Sequence, residues 1–328
     1  MTKFALLLTA VAASACSAST AAPGHNSEPL GAIRWSIDDQ DVLKNNEVQL
    51  SIRTGNGSRN NSNWSSSYDL GELQGFAPAA LNGSNQPVRF ALVREAGRLD
   101  CSGTAGNRQG IGTCTFAPDA NFAGRLAAAG IGRPTDRQAF NLTLAKVSYA
   151  LVGELGRHGY DKPDVDDLVG MGIHGATAAY VREIADAGYR LGKADALVQF
   201  RIFGIDGDYI RQMATIGPKF RDLSSKDLVQ FKIFGVQPEL VQTYSQLGYK
   251  TLDSRDLVQM QIHGVTPDFI REMAALGYRD IPTNKLVQMR IHDVTPAFIR
   301  DLRKQGIASP SADQLVRLKI SGFEPGER

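Results

Sequence analysis

The chain has 328 residues, 36 Lys and Arg against 34 Asp and Glu, and 42% hydrophobic residues, enough apolar material to fill more than one core. Its net charge of +2 argues against a polyanion-binding or acidic-tail protein. Three Cys and five His supply little for a metalloenzyme, and no metal or cofactor site is expected.

Residues 1–15 read as a signal peptide: Lys3 is the positive start, Phe4 to Val11 the apolar core, and small residues follow. That core is far shorter than the roughly 20 apolar residues of a membrane-spanning helix. Ala13-Ser14-Ala15-Cys16 resembles a bacterial lipoprotein box, which implies lipidation of Cys16; the departure is Ala13, where such boxes carry Leu, Val or Ile. Ordinary cleavage after Ala15, or a few residues later, is the alternative. Residues 16–29 are small, polar and Pro/Gly-bearing and read as a tether. The expected address is outside the cytoplasm: periplasmic, or membrane-anchored through the lipid and facing the periplasm.

Residues 30–132 read as an antiparallel β-rich domain. Expected strands are Ala32–Ile37, Glu47–Arg53, Pro87–Arg94, Gly97–Thr104 and Ile111–Phe116, with alternation at Val48, Leu50, Ile52 and at Val88, Phe90, Leu92. Gly, Asn and Ser clusters at 55–68 and 82–85 mark loops. Trp64 falls in the first of these. It is either tucked onto the sheet edge or a binding residue. Gly106-Asn107-Arg108-Gln109 is a turn signal, and pairing residues about its centre sets Cys101 opposite Cys114. In an oxidising compartment those two form a disulfide; two unpaired thiols are the other reading. Gly103, Gly110 and Gly112 belong to this hairpin, not to a phosphate loop. A short helix over Asn121 to Ala129 closes the domain.

From residue 133 to 328 the pattern is a repeat. A Leu-Val pair recurs at Leu168, Leu197, Leu228, Leu257, Leu286 and Leu315, with spacings of 29, 31, 29, 29 and 29. Ala139 marks a degenerate first copy, making seven. The second half of each copy is a helix: Thr266 caps it, Pro267 takes the first position, Phe269, Ile270, Met273 and Leu276 form one apolar face, and Gly277-Tyr278 ends it. Gln237–Gly248 and Thr295–Gly306 repeat that plan. The first half alternates at Val258, Met260 and Ile262, like a strand or a leucine-rich repeat. Ser225, Ser254 and Thr283 as N-caps, with Gly235 and Gly264 as stops, predict a short helix instead. Hairpins that cannot bury their faces alone would stack into an α-solenoid, with the half-copy ending at GFEPGER capping it.

Within the repeat, His174, His263 and His292 share a position with Phe203 and Phe234, so packing is expected there rather than metal ligation. Gln199, Gln230, Gln259 and Gln288 form a second column, read as a hydrogen-bond ladder or a ligand-facing row. Arg182, Arg211, Arg271 and Arg300 form a third, candidate binding residues unless the neighbouring acids pair with them. Asp164, Asp166 and Asp167 predict an acid-rich helix start.

The motif LVxMxIHGVTPxFIRxM, at 257–273 and at 286–302 with Asp293 in place of Gly and Leu302 in place of the final Met, resembles repeats of uncharacterised bacterial extracytoplasmic proteins. It is also similar to arrays appended to membrane metallopeptidases of the beta-lactam-sensor type. The His-Glu-x-x-His motif of those peptidases is absent here, so the resemblance implies no activity. The sequence predicts an α+β multidomain protein, not an enzyme, that binds a protein or cell-envelope component as a scaffold or interaction protein. A sensory or regulatory module of an envelope signalling system is the alternative. Nucleic acid is disfavoured by the near charge balance of the repeats, and a hydrolase by the lack of a nucleophile motif. Contact with a membrane is expected only through the lipid.

Overall fold

The computed structural model describes residues 30–38, 47–55 and 62–325. The expected signal peptide, the tether and Cys16 lie outside the described residues.

The N-terminal part is one antiparallel sheet of seven strands: β1 (Ala32–Ile37), β2 (Glu47–Gly55), β3 (Ser62–Asp69), β4 (Leu73–Gln74), β5 (Gln86–Arg94), β6 (Gly97–Gly106) and β7 (Gln109–Pro118). Their order is β3-β2-β1-β7-β6-β5-β4: two meanders joined where β7 pairs with β1. All five expected strands form. The expected loop at 55–68 is corrected in part, because Ser62–Asp69 forms edge strand β3. Its inward residue Tyr68 is buried, and its polar residues bond across to β2. Ser65 meets Gln49 at 2.8 Å and Ser51 at 3.0 Å, and Ser62 meets Thr54 at 2.6 Å. A serine-rich segment is thus held by a hydroxyl and amide ladder rather than by apolar area.

The β6–β7 hairpin turns at Asn107 (φ 48°) and Arg108 (φ 62°), both left-handed as a two-residue hairpin turn requires. The register then sets Cys101 opposite Cys114, and the disulfide forms. Two residues nearer the turn, Gly103 faces Gly112. A Cβ on Gly112 would lie 2.4 Å from Trp35 Nε1, so these glycines make room for the Trp35 indole, which donates to Ser102 O at 3.1 Å.

Fourteen helices follow among the described residues. α1 (Ala120–Ala128), capped by Asp119, packs Phe122 and Leu126 into the helical core. Thirteen more then alternate in two series. The first series is α2 (Asp136–Leu144), α4 (Val165–Ile173), α6 (Ala194–Ile202), α8 (Ser225–Ile233), α10 (Ser254–Ile262), α12 (Thr283–Ile291) and α14 (Ala312–Ile320). The second is α3 (Tyr149–Arg157), α5 (Ala178–Asp186), α7 (Gly207–Ile216), α9 (Pro238–Gln246), α11 (Pro267–Ala275) and α13 (Pro296–Lys304). The first half of each copy is therefore helix, not strand. The two extra residues of the 31-residue spacing fall between α7 and α8, in a turn containing a 3-10 segment at Pro218–Phe220.

Nine-residue helices are marginal alone, so caps and burial hold these. Thr177, Thr266 and Thr295 each accept a hydrogen bond from the backbone N–H three residues on. The expected N-caps of the first series are corrected by one residue. Ser224 and Asp253, not Ser225 and Ser254, close capping boxes with Asp227 and Asp256, and Pro282 precedes Thr283. An acid three residues into the helix can reach back only to the residue before it. Asp164 and Asp167 form the same box, and Asp166 accepts from Gln138 at 3.1 Å. Like packs mainly on like: α4 on α6, α10 on α12, α12 on α14, α3 on α5. The repeated Leu of each pair is buried in one continuous cluster. Among the described residues no helix is long and apolar enough to cross a membrane.

Candidate interaction surface

Every first-series helix from α4 onward ends on an isoleucine, and each is exposed: Ile173 51%, Ile202 55%, Ile233 52%, Ile262 46%, Ile291 52% and Ile320 63%. Phe203 and Phe234, next to two of them, are 37% and 36% exposed. Of the large apolar side chains exposed among the described residues, Ile111 alone lies elsewhere. In α10 the cause is geometric. Leu257 and Met260 point inward, while Ile262 falls on the outer flank with Gln259, three residues before it.

The expected glutamine ladder does not form. Gln199, Gln259 and Gln288 are exposed and Gln230 is half-buried. No bond links one glutamine to the next; Gln288 instead accepts from Lys285 at 2.6 Å. Each glutamine sits on the outward side of its helix. Gln230 and Gln259 line an open depression of about 470 Å³ between α8 and α10, with Lys226, Asp227 and Arg255 around it. The outer face is thus a neutral amide row beside an apolar row.

Copy one departs from this pattern. Phe140 and Leu144 occupy the Val and Ile positions; the Val is buried or half-buried in the other copies and the Ile exposed, but here both side chains are buried in the sheet's core. Phe140 meets Phe116 edge-on at 5.4 Å. Lys146 stands where every other copy but one places a left-handed glycine, the exception being Asp293; it keeps φ at 57° and bonds Glu72 at 2.9 Å on the sheet side.

The arginine column lies on the second-series helices. Arg182 binds Glu154 of the preceding copy at 2.9 Å. Glu154 is buried, and Arg157 and Arg182 outweigh that burial, holding its carboxyl below the usual range. Arg211 and Arg271 pair with Asp208 and Asp268 one turn back, at 2.6 and 2.7 Å. Arg300 is exposed without such a pair, since Ala297 stands in the place of Asp268. The structure therefore brings three of these four arginines onto acids rather than onto one shared pocket. Trp64 is half-buried on β3 and packs against both the sheet core and the helical core. Its Nε1 and the Tyr68 hydroxyl are buried with no well-formed hydrogen bond, and burial, opposed by Trp64, pushes the Tyr68 hydroxyl up to about 12. His174 is exposed, while His263 and His292 are half-buried. No group of three metal-ligating side chains occurs among the described residues.

Two inter-repeat ladders were not anticipated. Near the C-terminal ends of the first series, Arg201 lies 4.8 Å over Tyr180, Lys232 3.8 Å over Tyr209, Arg290 5.1 Å over Phe269 and Lys319 4.6 Å over Phe298. Each cation caps an aromatic ring of the preceding copy. Tyrosine hydroxyls form the second ladder: Tyr180 donates to Ile205 O, Tyr209 to Val236 O and Tyr244 to Val265 O. Tyr189, Tyr249 and Tyr278 reach the linker carbonyls of Leu223, Ile281 and Pro310. Burial raises the hydroxyl pKa throughout, to about 12 at Tyr244, where the Gln261 amide opposes it.

These tyrosines predict alkaline instability. Unfolded tyrosines ionise near pH 10, so above that pH the unfolded chain binds fewer protons than the folded one. Stability is full below pH 10 and falls as pH rises through the folded values, by up to about 1.4 kcal/mol per pH unit for each tyrosine still protonated. Tyrosinate absorbance and circular dichroism should change together at a pH well above 10. Smooth ionisation near 10 with helicity intact would contradict the buried ladder.

No family model, curated protein or solved structure significantly matches the chain.

Proposed function

We propose that this chain is an exported interaction protein, whose contact surface is the outer face of the first-series helices and whose partner is a protein or envelope component. The observation that carries this reading is the row of six half-exposed isoleucines at one register. With the two phenylalanines they set eight exposed apolar side chains along one line, where the exposed apolar residues of a monomer are usually scattered singly. Recurrence of one residue type at one exposed position argues against scattered surface apolarity.

On this reading the helices form an α-solenoid of seven copies, an inference supported by like-on-like packing and by the two ladders between copies. The disulfide favours an oxidising compartment, in keeping with export and with anchoring through Cys16 or release after ordinary cleavage. Arg182 is assigned to holding two copies together, Arg211 and Arg271 to pairs within their own helices, and Trp64 to the junction of sheet and helices.

A photo-crosslinking amino acid at position 262 tests the surface in living cells, with Arg279, exposed in the α11–α12 linker, as control. A discrete adduct is expected at 262 and not at 279, lost when Ile233 and Ile291 become Asp. No adduct at 262, or the same adduct at both positions, would remove the interaction reading.

A further inference from the structure

We infer that the isoleucine row pairs with the same row of a second copy of this chain, the two arrays running antiparallel. This inference rests on the interaction reading above and names its partner.

The row continues an interface that the chain already makes. In copy one the same helix corner is closed by the sheet: Leu144 and Phe140 are buried there, and Lys146 reaches Glu72 and lies 5.1 Å over the Tyr68 ring. From Ile173 to Ile320 the isoleucine stays exposed, and none of the described residues covers it. A partner that buries all six rungs must present apolar groups at the spacing of these repeats. A second copy does so by construction, and a self-complementary patch closes as a two-fold dimer.

Residue types along the row favour the antiparallel sense. A two-fold axis between Ile233 and Ile262 sets Ile173 against Ile320, Ile202 against Ile291 and Ile233 against Ile262. The residue after each isoleucine then pairs unlike with unlike: Phe203 with His292 and Phe234 with His263. Parallel alignment would stack His on His and put like charges together on protonation. Charge does not oppose the approach at the row itself. The basic residue before four of the isoleucines is turned onto an aromatic ring of its own chain, and four of the residues three positions earlier are neutral glutamines.

The test is sedimentation equilibrium on the full chain carrying Cys16→Ser, so that no acyl group contributes. A dimer is expected at micromolar concentration. Ile233→Asp with Ile262→Asp should weaken it by on the order of a hundredfold or more, because each charge is buried twice across the axis. Both sites are exposed in the single chain, so circular dichroism should be unchanged. Mixed Ile202→Cys and Ile291→Cys chains should cross-link to each other, and Ile202→Cys chains alone should not. A monomer, or a dimer indifferent to the double substitution, overturns the proposal, and 202-to-202 cross-links overturn the antiparallel sense. A monomer that still gives a ridge-dependent adduct to another protein at position 262 sinks self-pairing alone. A monomer with no adduct sinks the interaction reading as well.

Discussion

Leu257→Ala should lower the free energy of unfolding by about 2–5 kcal/mol, whereas deletion of Ser254–Pro282, 29 residues, should leave a folded protein. Leu257 is buried at the centre of α10. α8 and α12 pack on either side of that helix and limit collapse into the vacated space. The deletion removes far more chain but joins like to like. Asp253, the cap of α10, comes directly before Thr283, the first residue of α12. Leu252 takes the buried place of Ile281, and Tyr249 meets the Pro310 carbonyl that Tyr278 used. A stacked array tolerates this because each copy is held mainly by its neighbours. Circular dichroism and thermal melting of both variants decide it. Loss of helical signal in the deletion, with Leu257→Ala melting like the parent, would end the solenoid reading.

What the sequence disclosed was whatever is local. Thr-Pro starts, Gly stops and the Leu-Val pair act within one or two turns, and the helices fall where those signals put them. The caps sit one residue before Ser225 and Ser254 because the acids at Asp227 and Asp256 close their boxes there. Strand β3 was hidden because its stabilisation is cross-strand. Only Trp64, Ser66 and Tyr68 carry its alternation, and the serines read as loop until Gln49 and Ser51 lie beside them. The isoleucine row was hidden for the opposite reason. Ile262 follows Val258 and Met260 in an alternating apolar run, and composition cannot say which of three apolar residues a helix turns outward. Exposure depends on where the neighbouring helices stop. The glutamine column gives no ladder for a related reason: register places the amides in line, but exposed amides take other partners, as Gln288 does with Lys285.

Reducing the Cys101–Cys114 bond should destabilise the sheet by roughly 2–3 kcal/mol, the loop-closure entropy that a cross-link of this span removes from the unfolded chain. The bond joins β6 to β7, and β7 also pairs with β1, so it ties the strands at the junction of the two meanders. Both tryptophans of the chain, Trp35 and Trp64, lie on the sheet. Their fluorescence therefore follows the sheet, and far-ultraviolet circular dichroism mostly follows the helices. A repeat array need not unfold in one step with the domain before it. Reduction should thus move the denaturant midpoint seen by fluorescence more than the one seen by circular dichroism. The two are coupled where Phe140 and Leu144 of α2 enter the sheet's core, where Trp64 touches the helical core, and through Lys146 and Glu72. Thiol labelling of the native, unreduced protein supplies the companion measurement, with neither cysteine expected to react. Full labelling of both, or a fluorescence transition unmoved by reductant, would show that the bond does not hold the sheet, and would remove the support it lends to an oxidising address.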